Sequence, residues 1–534
     1  MKLLNKALFS TAIIALISVN ACTDLTETVY SDIAANNFYN NEIEVTTAVL
    51  RPYTHARAWA GFPGHQEGYW YIQELSADQL AWPQKGRHGY DQGKWIHLHR
   101  HTWDNLHNTV WNAWRLMYWG MGFTNNTLAD FENLDFEAIG ISQRQKDAFI
   151  AELKVIRAWH YLKLMELYGN IPVVTTVGEP LSPENLSVEE VFAFVERELL
   201  ENVDNLPDKT IELAGRVSKA AGYAMLSHMY LNAESWIGVP MYDKCIEVSN
   251  YILDGNTGEF ELDGNILVTY SNTNETDSRE IIFDLAYNRQ IGGSSTALAM
   301  FTHYADRQIL DVEYGGWNGV VTQPQAFDAY QDNDLRKQEW FRIGPQYVYG
   351  TDIPVLGTEE YAGEPLVFVN EIRRASEGRT ESTMIHGEEN SGARFHKYRT
   401  GRQHDPNYRS NNYVVYRLTE IYFNKAEALM RLNGNQATTE AVELINAVRE
   451  RAFAPEDWPA EAYTTENLTM DELLAERGRE FYAEGKRRTD LIRFNQFSQG
   501  SWWDKEPTPD HVRWMPIPYN AMMANPNLQQ NPGY

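Results

Sequence analysis

Residues 151–173 read AELKVIRAWHYLKLMELYGNIPV. Leu153, Ile156, Ala158, Tyr161, Leu164 and Leu167 recur at helical spacing, which predicts a helix from Ala151 to Tyr168. Gly169 supplies the stop and Pro172 lies just beyond it. The same reading, carried outward, finds more helices. One is predicted over about Asn41–Trp59 and another over about Leu106–Leu128, with a Gly-, Trp-, Tyr- and His-rich loop at 60–103 between them. Ser187-Val188-Glu189-Glu190 is a capping box that opens a helix to about Leu200. Ala220–Asn232 and Tyr242–Leu253 follow. After an irregular stretch, Val414–Leu432 and Thr438–Arg451 flank Asn433-Gly434-Asn435, a helical hairpin of about tetratricopeptide length. A second capping box at Thr469–Glu472 leads a helix to about Ala483.

The expected fold is therefore mostly α. It is a tetratricopeptide-like helical-repeat scaffold with a large, loop-rich insertion that contains short strands. The segments are residues 41–253, an insertion at 254–412 and a returning helical part at 413–534. The insertion is rich in Gly, Asn, Thr, Asp and Tyr, and its short apolar runs, such as Ile281-Ile282-Phe283, read as strands. Long loops on a helical scaffold are where binding sites are expected.

The N-terminus reads as a targeting segment. Lys2 and Lys6 precede the apolar run 7–19, which is too short to span a bilayer. Val19-Asn20-Ala21-Cys22 then resembles a bacterial lipobox. Residues 1–21 are expected to be a signal peptide, Cys22 the lipidated residue and 22–40 a tether. Cys245 is left without a cysteine partner and reads as a buried small hydrophobe.

A formal net charge of −27 disfavours nucleic-acid phosphates, whose recognition needs Lys and Arg. Aromatics make up 13% of the chain, enough to place some on the surface as platforms for sugar rings.

Several segments, taken in order, resemble the SusD/RagB family. They are LKVIRAWHY (153–161) with LYGNIPV (167–173), SKAAGYAML (218–226), RLTEIYFNKAEA (417–428) with INAVR (445–449), ERGREF (476–481) with EGKRRTDL (484–491), and the terminus PIP (516–518) to NPNLQQNPGY (525–534). The stretch 254–412 matches poorly, apart from a local run at Trp317–Arg336. The resemblance implies a tetratricopeptide-like fold and a lipid anchor in an outer membrane, facing the cell surface. It also implies a partner, a SusC-like TonB-dependent transporter, to which captured oligosaccharide is delivered. Peptide cargo on the same fold and a secreted glycoside hydrolase are the alternatives.

No catalytic constellation, cofactor motif or metal set is expected. Glu476 and Glu480 are one helical turn apart, but with Arg477 and Arg479 interleaved they read as an ion-pair network. The same applies to Glu420 and Glu427. His97, His99, His101 and His107 lack a completing ligand at a known spacing and read as polar packing. Asp332 and Asp334 resemble half a calcium loop without its Gly and distal Glu.

The candidate glycan site comprises Trp82, Tyr90 and Trp95 in WPQKGRHGYDQGKW (82–95), and Tyr314, Trp317 and Asn318 in YGGWNG (314–319). Gln84, Arg87 and Asp91 would assist with hydrogen bonds. Trp82 and Trp95 carry a second reading, as plugs that fasten the loop to the scaffold.

Overall fold

The structure is a computed structural model, and it describes residues 38–60, 67–178, 181–292 and 299–534. The signal peptide, Cys22 and most of the tether lie outside the described residues. The described residues are mostly helical, with 46% helix and 8% strand.

The longer helices are α1 (Glu42–Ala56), α2 (Tyr69–Leu75), α3 (Lys94–His99), α4 (Asn108–Glu132), α5 (Gln143–Tyr168), α6 (Val188–Asn202), α7 (Lys219–Ile237), α8 (Tyr242–Leu253), α9 (Leu418–Leu432), α10 (Thr439–Arg449), α11 (Met470–Glu480) and α12 (Arg487–Arg493). Neighbours in sequence pack as neighbours in space: α4 on α5, α5 on α6, α7 on α8 and α9 on α10. The array continues across the loop-rich stretch, because α8 packs on α9 although 164 residues separate their facing ends.

Local chemistry explains the boundaries. Ser142 and Ser187 each form a reciprocal capping box, with Gln145 and Glu190. Thr469 caps α11 by accepting from the Glu472 amide. At Gly169, φ is +68° and a Cβ would lie 3.0 Å from the Trp514 ring, so this stop requires glycine. Helix α5 is buried along nearly all of Ala151–Tyr168, not on one face alone. Its charged residues tolerate this because they are paired: Arg157 with Glu198, Arg216 with Glu152 at 2.5 Å, and Lys163 with Glu166 at 2.8 Å.

Two expectations are corrected. The stretch 60–103 is not simply loop, because it contains α2 and α3. All seven residues of α2 (YWYIQEL) are buried, so no polar face marks a helical period. The helix expected from Val414 begins only at Leu418. Tyr413–Arg417 is a strand that pairs antiparallel with Ile281–Leu285, so the start and end of the loop-rich stretch are stitched together at its neck. Val414 and Val415 are β-branched, but the pairing partner lies more than 120 residues away, beyond the reach of local pattern.

A buried ionic lattice ties the loops to the helices. Arg336 is fully buried and pairs with Asp334, Glu476 and Glu480 at 2.8–2.9 Å. Glu476 also receives Arg449 at 2.5 Å and Arg479 at 2.7 Å. Arg417 pairs with Glu280, Glu480 and Glu484 at 3.0–3.1 Å, and Lys397 reaches Glu484 at 2.6 Å. Glu427 takes Arg493 at 2.7 Å, and Glu420 takes Lys486 at 2.7 Å. Glu476 and Glu480 thus share one guanidinium and serve as structural anions. Asp334 caps the turn at Leu335–Glu339 and pairs with Arg336.

Candidate functional site

Two loops more than 200 residues apart in sequence meet because one short ribbon carries both. Strand β1 (Leu80–Ala81) pairs antiparallel with β3 (Val321–Thr322), numbering Ile281–Leu285 as β2. Trp82 leaves the end of β1 beside Gly319, which is two residues ahead of β3. A Cβ on Gly319 would lie 2.6 Å from the Trp82 ring, so glycine is what lets the indole lie against the opposing loop.

The YGGWNG loop is itself clamped. The amides of Gly316, Trp317 and Asn318 donate to the carbonyls of His303, Ala299 and Thr302 at 2.7–3.0 Å. A Cβ on Gly315 would meet the Tyr304 carbonyl at 2.2 Å. Asn318 sits at φ +53°, in the left-handed region that asparagine tolerates better than most residues. In the other loop, Lys85 and His88 exchange backbone hydrogen bonds, and Gln84 pairs with Met384 and Gly387.

The ring system between the loops answers the double reading of the tryptophans. Tyr71, Trp95 and Trp82 form a continuous stack, with centroids 5.3 Å apart at 20° and 4.5 Å apart at 5°. Trp95 is 1% exposed, so the expectation that it faces a ligand is corrected. Tyr71 and Trp82 also pack on each other, 6.3 Å apart, Lys94 Nζ lies 4.3 Å over the Trp95 ring, and the Trp95 Nε1 donates to Asp91 at 2.7 Å. Trp82 is 8% exposed and is the ring of the three that lines a hollow. Trp317 is the exposed ring, at 51%.

Trp317 stands between two hollows. One, of about 340 Å³, is lined by Trp82, Lys85, His88, Asp91, Lys94 and Trp317, among others. The other, of about 510 Å³, includes Arg87, Tyr304, Glu359, Glu360 and Glu389. Lys85, His88, Trp317 and Asn318 line both. Asn318 is also corrected as a ligand donor. It is buried, its Nδ2 donates to the Glu389 carbonyl and its Oδ1 accepts from Arg394. Its role is to shape the loop. Tyr90 and Tyr314 are exposed but line neither hollow; Tyr314 lies under the Arg409 guanidinium.

Two buried cations brace this loop through neutral oxygens. Lys85 Nζ donates to the Asn318 and Gly319 carbonyls, and Arg394 donates to Asn318 Oδ1 and the Glu389 carbonyl. Burial pushes the Lys85 amine well below its usual range and the Arg394 guanidinium down to about 9. Sequence reading missed both, and also Glu359, Glu360 and Glu389, because nothing local in sequence joins them to the aromatic loops.

No cluster of His, Cys, Asp and Glu that could hold a metal ion forms among the described residues, and the histidines have separate surroundings. His97, His99 and His101 lie on α3 and the turn after it and His107 is the N-cap residue of α4, so none is on a strand. His97 is exposed, His99 is buried edge-on to Trp503, and His101 bonds the Ser76 carbonyl. Burial lowers His99 to about 3.

Comparison with known families places this architecture. The model described as the SusD family matches residues 279–534, and one described as "Starch-binding associating with outer membrane" matches residues 73–231. The chain belongs to the SusD-like family. This SusD-like chain is 25% identical over 420 residues to the starch-binding protein SusD of Bacteroides thetaiotaomicron, an alignment covering 72% of each chain. It is 26% identical over 454 residues to a SusD-like protein of Formosa agariphila, covering 80% of this chain and 78% of the relative. Among solved structures, surface glycan-binding protein A from B. thetaiotaomicron in complex with laminarihexaose superposes with a TM-score of 0.69 at 18% identity, covering 92% of this chain and 99% of that one. A laminarin-binding SusD-like protein gives 0.68 at 20% identity, covering 93% and 100%. These structural likenesses establish the SusD-like fold.

Proposed function

We propose that this protein captures a glycan at the surface around Trp317, performs no chemistry on it, and delivers it to a SusC-like TonB-dependent transporter. The observation that carries this reading is Trp317 itself. A half-exposed indole is held in a hydrogen-bonded turn between two hollows whose walls offer carboxylate, guanidinium and imidazole groups. The ring can stack on the apolar C–H face of a sugar while those groups meet its hydroxyls. Relatives named for starch and laminarin binding support the same reading.

Glycan arrays set beside peptide libraries test the cargo. Binding to glycans alone is expected, and peptide binding with no glycan binding would reverse the assignment. Incubated with a glycan that it binds, the protein should release no reducing ends. Release that is lost on Glu359→Gln or Glu360→Gln would make it a hydrolase.

Anchoring belongs to the same proposal. Cys22 carries the lipid, and the tether holds the domain outside an outer membrane, close to the transporter. Cys22→Ala should give a folded protein that no longer partitions with membranes. Wild-type protein found soluble in the periplasm, with residues 1–21 still attached, would refute it. Mild-detergent purification should recover a large β-barrel partner, since a lid over a barrel implies more than roughly 1,000 Å² of buried area.

A further inference from the structure

The charges around Trp317 have a direction. Glu67, Asp91, Glu359, Glu360 and Glu389 line the two hollows. The two lining lysines spend their donors on the protein, and the five lining carboxylates outnumber the lining lysines and arginine. Lys85 gives its hydrogen bonds to the Asn318 and Gly319 carbonyls, and Lys94 gives two, at 2.8 Å, to the Glu67 carboxylate. Behind the wall, Arg394 is committed to Asn318 and to the Glu389 carbonyl. Arg87 is the exposed guanidinium, and it lies 3.9 Å from Glu359.

Glu389 is fastened in place. The amides of Thr358, Glu359 and Tyr361 donate to its carboxylate, as does the Tyr304 hydroxyl. Glu359 is different: its side chain is 40% exposed at the hollow's edge. Glu360 accepts from the Glu389 amide through one oxygen only. Carboxylates are pure acceptors, so they suit a ligand rich in hydroxyl donors. A uronate or sulfate needs the opposite, a guanidinium or ammonium with donors to spare, best offered as a fork. It would also meet the field of a chain whose formal charge is −27.

We infer that this site selects uncharged glycans and excludes anionic ones, with Glu359 and Glu360 as the groups that set the exclusion. The inference rests on the glycan-binding reading of the Trp317 surface.

The test pairs each of a panel of neutral glucans, laminarin and soluble starch among them, with its own carboxymethylated derivative. Affinity is measured by calorimetry at low and at 0.5 M salt. For any glucan that binds, the charged form should bind roughly ten-fold more weakly at low salt. The gap should close substantially at high salt, where charges are screened over about 3–5 Å. In a Glu359→Gln/Glu360→Gln double variant the gap at low salt should narrow several-fold. The salt series needs only the wild-type protein, so it decides the matter even if the variant folds poorly. A carboxymethylated glucan that binds as tightly as its parent overturns the inference and leaves glycan binding standing. Binding of anionic polymers alone also overturns it. If no member of either series binds, the reading of the Trp317 surface falls, and the inference with it.

Discussion

Replacing Trp317 by alanine should weaken glycan binding by about 1.5–3 kcal/mol, roughly ten- to a hundred-fold in Kd, while thermal stability stays within about 0.5 kcal/mol of wild type. The ring is half exposed, so its removal opens no core cavity. Trp95→Ala should do the reverse. That ring is buried against Tyr71 and Trp82, and its loss leaves a buried void together with an Asp91 carboxylate that has lost a donor. The expected cost is about 3–5 kcal/mol of stability. Calorimetry for binding and denaturant titration for stability separate the two effects. If Trp317→Ala binds as the wild type does, the site lies elsewhere on the surface.

The second large effect belongs to the ionic lattice. Arg417 is buried among Glu280, Glu480 and Glu484, so Arg417→Met leaves buried carboxylates without their counter-charge. A loss of about 3–5 kcal/mol at neutral pH is expected. The same lattice sets an acid limit. Burial alone would raise the carboxyls, but Arg417 and Lys397 outweigh it and hold Glu484 down to about 2, and Lys486 with His228 does the same for Glu420. Glu476 and Asp490 are held lower still by their arginines.

A depressed carboxyl contributes its full stability above the unfolded value, near 4.5, and loses it as pH falls toward the folded value. Stability should therefore drop steeply between about pH 4.5 and pH 2. Glu74 works against this trend. Burial raises it to about 8, so its contribution declines as pH rises from 4.5 through 8. Denaturant midpoints measured from pH 2 to pH 8 check both. A flat profile below pH 4.5, or an Arg417→Met protein as stable as wild type, would show that the lattice is not holding the loops.

Much of the scaffold was legible in the sequence, because helices are written locally. The capping box at Ser187, the N-cap at Thr469, the stop at Gly169 and the apolar spacing within Ala151–Tyr168 all act within a few residues of the structure that they specify. The limits of α8, Tyr242–Leu253, follow from that pattern alone. The charged pattern of 476–490 likewise announced an ion-pair network, since interleaved Glu and Arg on one helix must find partners when buried. Family likeness rested on the same helical segments.

The candidate site was only half legible. Composition marked the two aromatic loops as unusual, but exposure is not a property of a loop's composition. Trp95 and Trp317 sit in similar Gly-rich surroundings, yet one is stacked in the core and the other stands in solvent. That difference comes from the β1–β3 ribbon, which sets Trp82 against Gly319, and from a ring stack that begins at Tyr71, a residue that read as part of a loop. It comes equally from Lys85, Arg394 and Glu389, which converge on Asn318 from separate parts of the chain. Local periodicity determines which residues form helices. Which aromatic is left for a ligand depends on contacts between residues up to about 300 positions apart, and only the folded chain brings those together.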